Sequence, residues 1–167
     1  GAMMRPEAIR YIAIAYADEN WPQGGVEKAK AFFAARNRPK YEKEVIQELG
    51  DALFDSAGSV IDGKSNYLNA IEAYKHVVAL EPYNPKAPRL QERIIDAYAR
   101  GERNPEAAAA ERAVLVANYG PASKWWDKNK NDPEAIQAAQ ELTEKMLYTA
   151  ALFHHQQPQG MKQAGKQ

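Results

Sequence analysis

Three histidines, two adjacent tryptophans and a large set of carboxylates are the side chains that could carry chemistry. His154 and His155 are neighbours, and neighbouring side chains on a helix diverge by about 100°, a poor geometry for one metal. No carboxylate stands four residues beyond either, so these two and His76 read as surface or groove histidines, not ligands. Cysteine is absent, which removes disulfides, thiolate zinc sites and thiol catalysis. There is no Ser/His/Asp grouping, no nucleophile elbow and no phosphate-cradling loop; Gly24-Gly25 is a turn. Glu42 and Glu44 flank Lys43, and Glu141 and Glu144 accompany Lys145, so both groups read as solvated helix faces. With no catalytic residue, metal ligand or cofactor site, the chain reads as non-enzymatic. Trp125-Trp126 lies among Lys124, Lys128 and Lys130, and such a grouping can stack on single-stranded nucleic acid or a glycan. The favoured reading packs one indole under the last helix and lays the other over a loop. Lys+Arg and Asp+Glu both number 22, so no wider basic surface supports nucleic-acid or anionic-membrane binding.

The elements that must position these residues are helical. Ala, Glu, Lys, Gln and Leu dominate, and β-branched residues are sparse. A chain of 167 residues is one domain or a short array, long enough to bury roughly 70% of its unfolded surface. No apolar run approaches the ~18 residues of a membrane span, and Ile12–Ala17 is too short for a signal sequence. Gly1-Ala2-Met3 has the look of a cloning scar, and residues 1–5 are set apart as an N-terminal lead.

Six helices are expected over residues 6–121. The first opens at Pro6 and carries Ile9, Ile12, Ala13 and Tyr16. The second runs from Val26 to Arg36 with Ala29, Phe32 and Phe33 inward. The third, Lys40 to Ala57, carries Leu49, Gly50 and Leu53. A connector at Ser59–Asn66 holds the turn dipeptide Asp62-Gly63. The fourth, Tyr67 to Leu80, is capped by Ser65 and striped by Ala70, Tyr74, Val77 and Val78. Pro82 stops it, and Asn84-Pro85 reads as the cap and first turn of the fifth, which holds Leu90, Ile94, Ile95, Ala97 and Tyr98. Asn104-Pro105 opens the sixth, with Ala107 and then Val114, Leu115 and Val116 buried. Residues 122–157 hold a short tryptophan-bearing helix and a long one, striped by Ile136, Ala139, Leu142, Met146, Ala150 and Phe153. Residues 158–167 read as a disordered tail or linker.

Small and aromatic residues recur in a fixed order along these helices. Ile12, Ala13 and Tyr16 form a large–small–aromatic triplet, and Leu49, Gly50 and Leu53 stand at the matching places of the third helix. Ala29 with Phe33, and Ala70 with Tyr74 followed by Pro82, repeat a small–aromatic–proline order; Tyr98 and Ala107 continue it. This resembles the tetratricopeptide repeat, a 34-residue helix–turn–helix unit that stacks into a solenoid. Gly50 and Ala70 stand about eight residues further apart than that pattern has them, so an insertion is expected near Ser59–Asn66.

The resemblance implies an all-α, right-handed helical-hairpin solenoid of three degenerate pairs over residues 6–121, followed by a long C-terminal helix. Leu147, Ala150, Ala151 and His154 resemble the opening of a further repeat. It implies a non-catalytic protein–protein interaction scaffold, whose concave groove is lined by the first helix of each pair. By register the groove residues are Glu44, Gln47, Asp51 and Asp55, then Arg89, Glu92 and Asp96, then Tyr148 and His155. Apart from Arg89 this set is acidic, which favours a neutral or basic segment of a partner protein or peptide. A helical ligand-binding module, or a nucleic-acid or glycan binder using Trp125-Trp126, is the alternative. The punctuation style fits bacterial proteins of the periplasm or cell envelope, with the cytoplasm the other option. No direct membrane insertion and no nucleic-acid partner is expected.

Overall fold

The computed structural model describes residues 3–56 and 58–164, with the backbone alone described at 153–154 and 156–164. The chain is all-α. Its helices are α1 (Pro6–Tyr16), α2 (Val26–Ala34), α3 (Glu42–Asp55), α4 (Asn66–Leu80), α5 (Ala87–Asp96), α6 (Pro105–Tyr119), α7 (Lys124–Asn129) and α8 (Pro133–Ala164). Side-chain caps set several starts. Ser65, Asn104 and Ser123 accept hydrogen bonds from the N–H groups of Leu68, Ala107 and Trp126 at 3.2, 3.1 and 3.1 Å. Asn84 is not the cap expected for α5. Its side-chain oxygen accepts from the Lys86 N–H at 2.8 Å, turning the chain first, and α5 opens at Ala87 with Pro88 in its first turn. α2 ends before Asn37 and Arg38, which take φ of 56° and 48°. α8 spans 32 residues, about 48 Å, and continues through residues read as a tail. Residues 165–167 of that segment, like Ala57, lie outside the described residues.

The main helix contacts join elements near one another in sequence, although α1 lies on α3 and makes at most slight contact with α2. α1 lies on α3, α3 on α4, α4 on α5, α5 on α6 and α6 on α8, while α2 touches α3 and α4. Apolar residues gather into two cores. The first joins Ile9, Ala13 and Tyr16 to Ala29 and Phe33, then to Leu49, Leu53, Ala70 and Tyr74. The second joins Ala108, Leu115 and Tyr119 to Trp125 and to Ala139, Leu142 and Met146. α5 serves both, with Leu90 and Ile94 in the first core and Ala87 and Ile95 in the second. Two residues expected inside are at the surface instead, Phe32 at 37% and Val114 at 39% exposure. Ile12 and Tyr98 are half-buried and Pro82 is exposed.

One close crossing fixes the α3–α4 pair. A Cβ placed on Gly50 would stand 2.8 Å from the Tyr74 ring and 3.3 Å from the Ala73 Cβ. Only a residue without a side chain fits there, and the gain is a fully buried tyrosine.

The connector between α3 and α4 is a miniature antiparallel hairpin, β1 (Val60–Ile61) and β2 (Lys64–Ser65). Asp62 and Gly63 turn it with φ of 53° and 74°, a two-residue turn of positive φ whose twist suits a hairpin. Buried Asn69 of α4 holds it: its amide donates to the carbonyls of Ile61 and Lys64 at 3.1 and 3.3 Å.

After α5 the helix widens into a π turn, Ala97–Gly101, closed by Glu102 N–H to the Ala97 carbonyl at 2.9 Å. A π turn holds one residue more than an α turn. The small residue buried in α6 is Ala108, whereas Ala107, expected at that place, is half-buried.

Two substitutions test these contacts by urea denaturation. Gly50→Ala should destabilise by about 1–3 kcal/mol, although alanine is the better helix former by about 1 kcal/mol. A stabilised variant would refute the tight crossing. Asn69→Leu should cost about 1–3 kcal/mol by stripping the hairpin carbonyls of their buried donor.

Candidate binding groove

Two clefts meet along the N-terminal half of α3. The larger, about 870 Å³, lies between α1 and α3, with Met4, Pro6, Ile9 and Tyr41 as its apolar wall. The second, about 370 Å³, lies between α3, the end of α4 and the start of α5, with Val77, Val78, Ala87 and Leu90 as its apolar floor. Lys43, Glu44 and Gln47 line both. Apolar walls with a few polar groups along one edge are the composition of a ligand-binding surface.

The expected groove residues are only partly brought together. Glu44 and Gln47 sit where the clefts meet. Asp51, Arg89 and Glu92 belong to a run of ion pairs that crosses from α3 to α5 to α8. Arg93 Nη1 lies 3.5 Å from Asp51 Oδ1, Arg89 lies 3.9 Å from Glu92, and Lys145 Nζ reaches Glu92 at 3.2 Å. Lys43 pairs with Glu81 beside the second cleft. Glu44, Asp55 and Asp96 make no ion pair among the described residues. Tyr148 and His155 are exposed on α8 beyond Met146 and line neither cleft.

The surface is therefore less acidic than its register suggests, because Arg93 and Lys145 answer Asp51 and Glu92. Neither cation was expected there. Each finds its partner on a different helix, and no local spacing reports such a pairing.

Tyr74 links the groove to the core. Its ring is buried, and its hydroxyl donates to Asp51 Oδ1 at 2.6 Å while accepting from Arg93 Nη1 at 3.3 Å. Burial, then the hydrogen bond to Asp51 and its charge, raise the phenol pKa well above the ordinary value of 10.0. Burial works against the charge on Arg93, but Tyr74, Asp51 and Asp55 together raise its pKa. The guanidinium also stands 5.2 Å from the Phe54 ring centroid. At Glu81 the Lys43 contact, then the Asn84 amide, lower the carboxyl pKa.

One reading of charged residues needs correction. Glu42 is not part of a solvated face: it is 2% exposed, with Oε1 at 2.5 Å from Arg38 and 2.8 Å from His76 Nε2. His76, half-buried, lines a shallow cleft on α4 while pairing with Glu42. The turn at Asn37-Arg38 folds Arg38 back over the start of α3, and a charge run read along the helix cannot reveal that. The tryptophan pair follows the favoured reading at Trp125, which packs into the core shared with α8. Trp125 is 1% exposed, set edge-on to Tyr119 at 5.7 Å, and its indole N–H donates to the Asn84 carbonyl at 2.7 Å. It offers no face for a base or a sugar, while Trp126 is half-buried.

Tyr74 gives a test by alkaline titration. An unfolded tyrosine ionises near pH 10, while the folded chain holds the Tyr74 proton more tightly. Stability is then full below about pH 10 and falls above it. Burial acts likewise on Tyr119, pushed up to about 12. Urea titrations of Tyr74→Phe should show a smaller loss between about pH 9 and 11 than the parent. Parallel losses would mean the phenol is not held as described.

No described helix is long and apolar enough to cross a membrane. Among the described residues, no group of three or more histidine, aspartate or glutamate side chains is placed to hold a metal ion. Comparison with protein-family models, with curated proteins and with solved structures returns no match for this chain.

Proposed function

We propose that this chain is a tetratricopeptide-like helical-hairpin solenoid acting as a non-catalytic scaffold, and that it holds a peptide segment of a partner protein across α1, α3 and α5. The observation that carries the proposal is the meeting of two apolar-walled clefts at Glu44 and Gln47. The packed pairs α3–α4 and α5–α6 support it, because stacked hairpins bury a core between neighbours and leave one long face open. So do the small–aromatic packing pairs Ala29/Phe33 and Ala70/Tyr74, with every member fully buried. The occupant is a mainly apolar segment, neutral or bearing a cation for Glu44 and Glu48. Gln47 suits a backbone amide, offering both a donor and an acceptor.

A displayed peptide library tests this reading. Selection should enrich segments with apolar residues and few acids. Gln47→Trp, which fills the junction of the clefts, should weaken the enriched peptides at least about tenfold, or 1.4 kcal/mol, with thermal stability retained. Enrichment of acidic C-terminal tails, or binding indifferent to the filled junction, would refute the proposal.

A further inference from the structure

The crest between the two clefts of the groove is α3 itself. Lys43, Glu44 and Gln47, about one turn of that helix, line both clefts. A segment that fills both must cross α3 over Gln47 and set one apolar anchor on each side. A helix with its side chains is about 10 Å wide, so the two anchors stand about that far apart. Gln91, Gln137 and Gln140 each donate to a glutamate. The half-buried Gln47 side chain makes no hydrogen bond among the described residues, so its donor and its acceptor are both open to a ligand at the crest.

These two facts select a backbone conformation. A helical ligand has its interior N–H and C=O groups bonded within itself and leaves the Gln47 amide without a backbone partner. In an extended strand, residues on one face recur at about 7 and 13 Å, on either side of the required span. A polyproline II segment has three residues per turn, a rise of about 3.1 Å and a backbone free of internal hydrogen bonds, so its positions i and i+3 share a face about 9 Å apart. Such segments dock on aromatic walls, and the larger cleft supplies the Tyr41 ring, held edge-on to Phe33 at 6.0 Å. The charges of that cleft complete the description. Lys43 is answered by Glu81, which leaves Lys40 against Glu44 and Glu48, an excess of one negative charge. We propose that the occupant is a proline-rich segment in the polyproline II conformation, with apolar residues at i and i+3 and one basic residue beside them. The proposal rests on the peptide groove and adds the shape and spacing of what fills it.

Fluorescein-labelled synthetic peptides test it by anisotropy titration against the full chain. Each carries one arginine and two leucines in a polyproline frame, with the leucines two, three or four residues apart. A further peptide sets them seven apart in an alanine-rich helical frame, which spans a similar distance. The three-apart peptide should bind at least about tenfold tighter than the others. Gln47→Ala, which leaves the clefts open and removes only the amide, should weaken it about fivefold with helicity unchanged. Gln47→Trp should remove the binding of every peptide that uses the groove. Equal affinity at all spacings, preference for the helical frame, or indifference to Gln47→Ala would overturn the inference and leave the groove reading in place, provided Gln47→Trp still blocks. Failure to find any peptide whose binding responds to Gln47→Trp would overturn both.

Discussion

The contact between Gly50 and Tyr74 constrains this molecule more than any other. It brings α3 and α4 close enough for a tyrosine ring to occupy the space that any side chain on α3 would take. Burial of that ring places its hydroxyl beside Asp51, and Asp51 in turn meets Arg93 on α5. A steric fit between two helices thereby sets the electrostatics of the open surface they share with a third. The distance between α3 and α4 decides where the groove's charges stand.

Several charges of this chain are settled between helices. Asp51 with Arg93, Glu92 with Lys145, and Lys43 with Glu81 each join residues far apart in sequence. Exposed pairs of this kind add little stability singly, about 0–1 kcal/mol. Their effect is on character: they leave a surface of balanced polarity above apolar clefts. Glu42 is the exception, since it is buried, and its Oε2 has no hydrogen-bond partner among the described residues.

Helix content, caps and packing faces were legible because they follow from local pattern. The lines Ile9–Ala13–Tyr16, Ala29–Phe33 and Ala70–Tyr74 carry a period that burial then obeys. The connector before α4 was legible as a turn at Asp62-Gly63, but strands of two residues are too short to show alternation. The π turn was invisible because Ala97–Gly101 reads as ordinary helix. Of the expected groove residues, Glu44 and Gln47 line both clefts. The partners of Asp51 and Glu92 were not legible, since they depend on how neighbouring helices face each other.

α5 lends one side to each hydrophobic core. Neither half of the molecule can melt while leaving α5 fully covered. The ten residues from Ala87 to Asp96 thus couple the two cores through buried surface that both share.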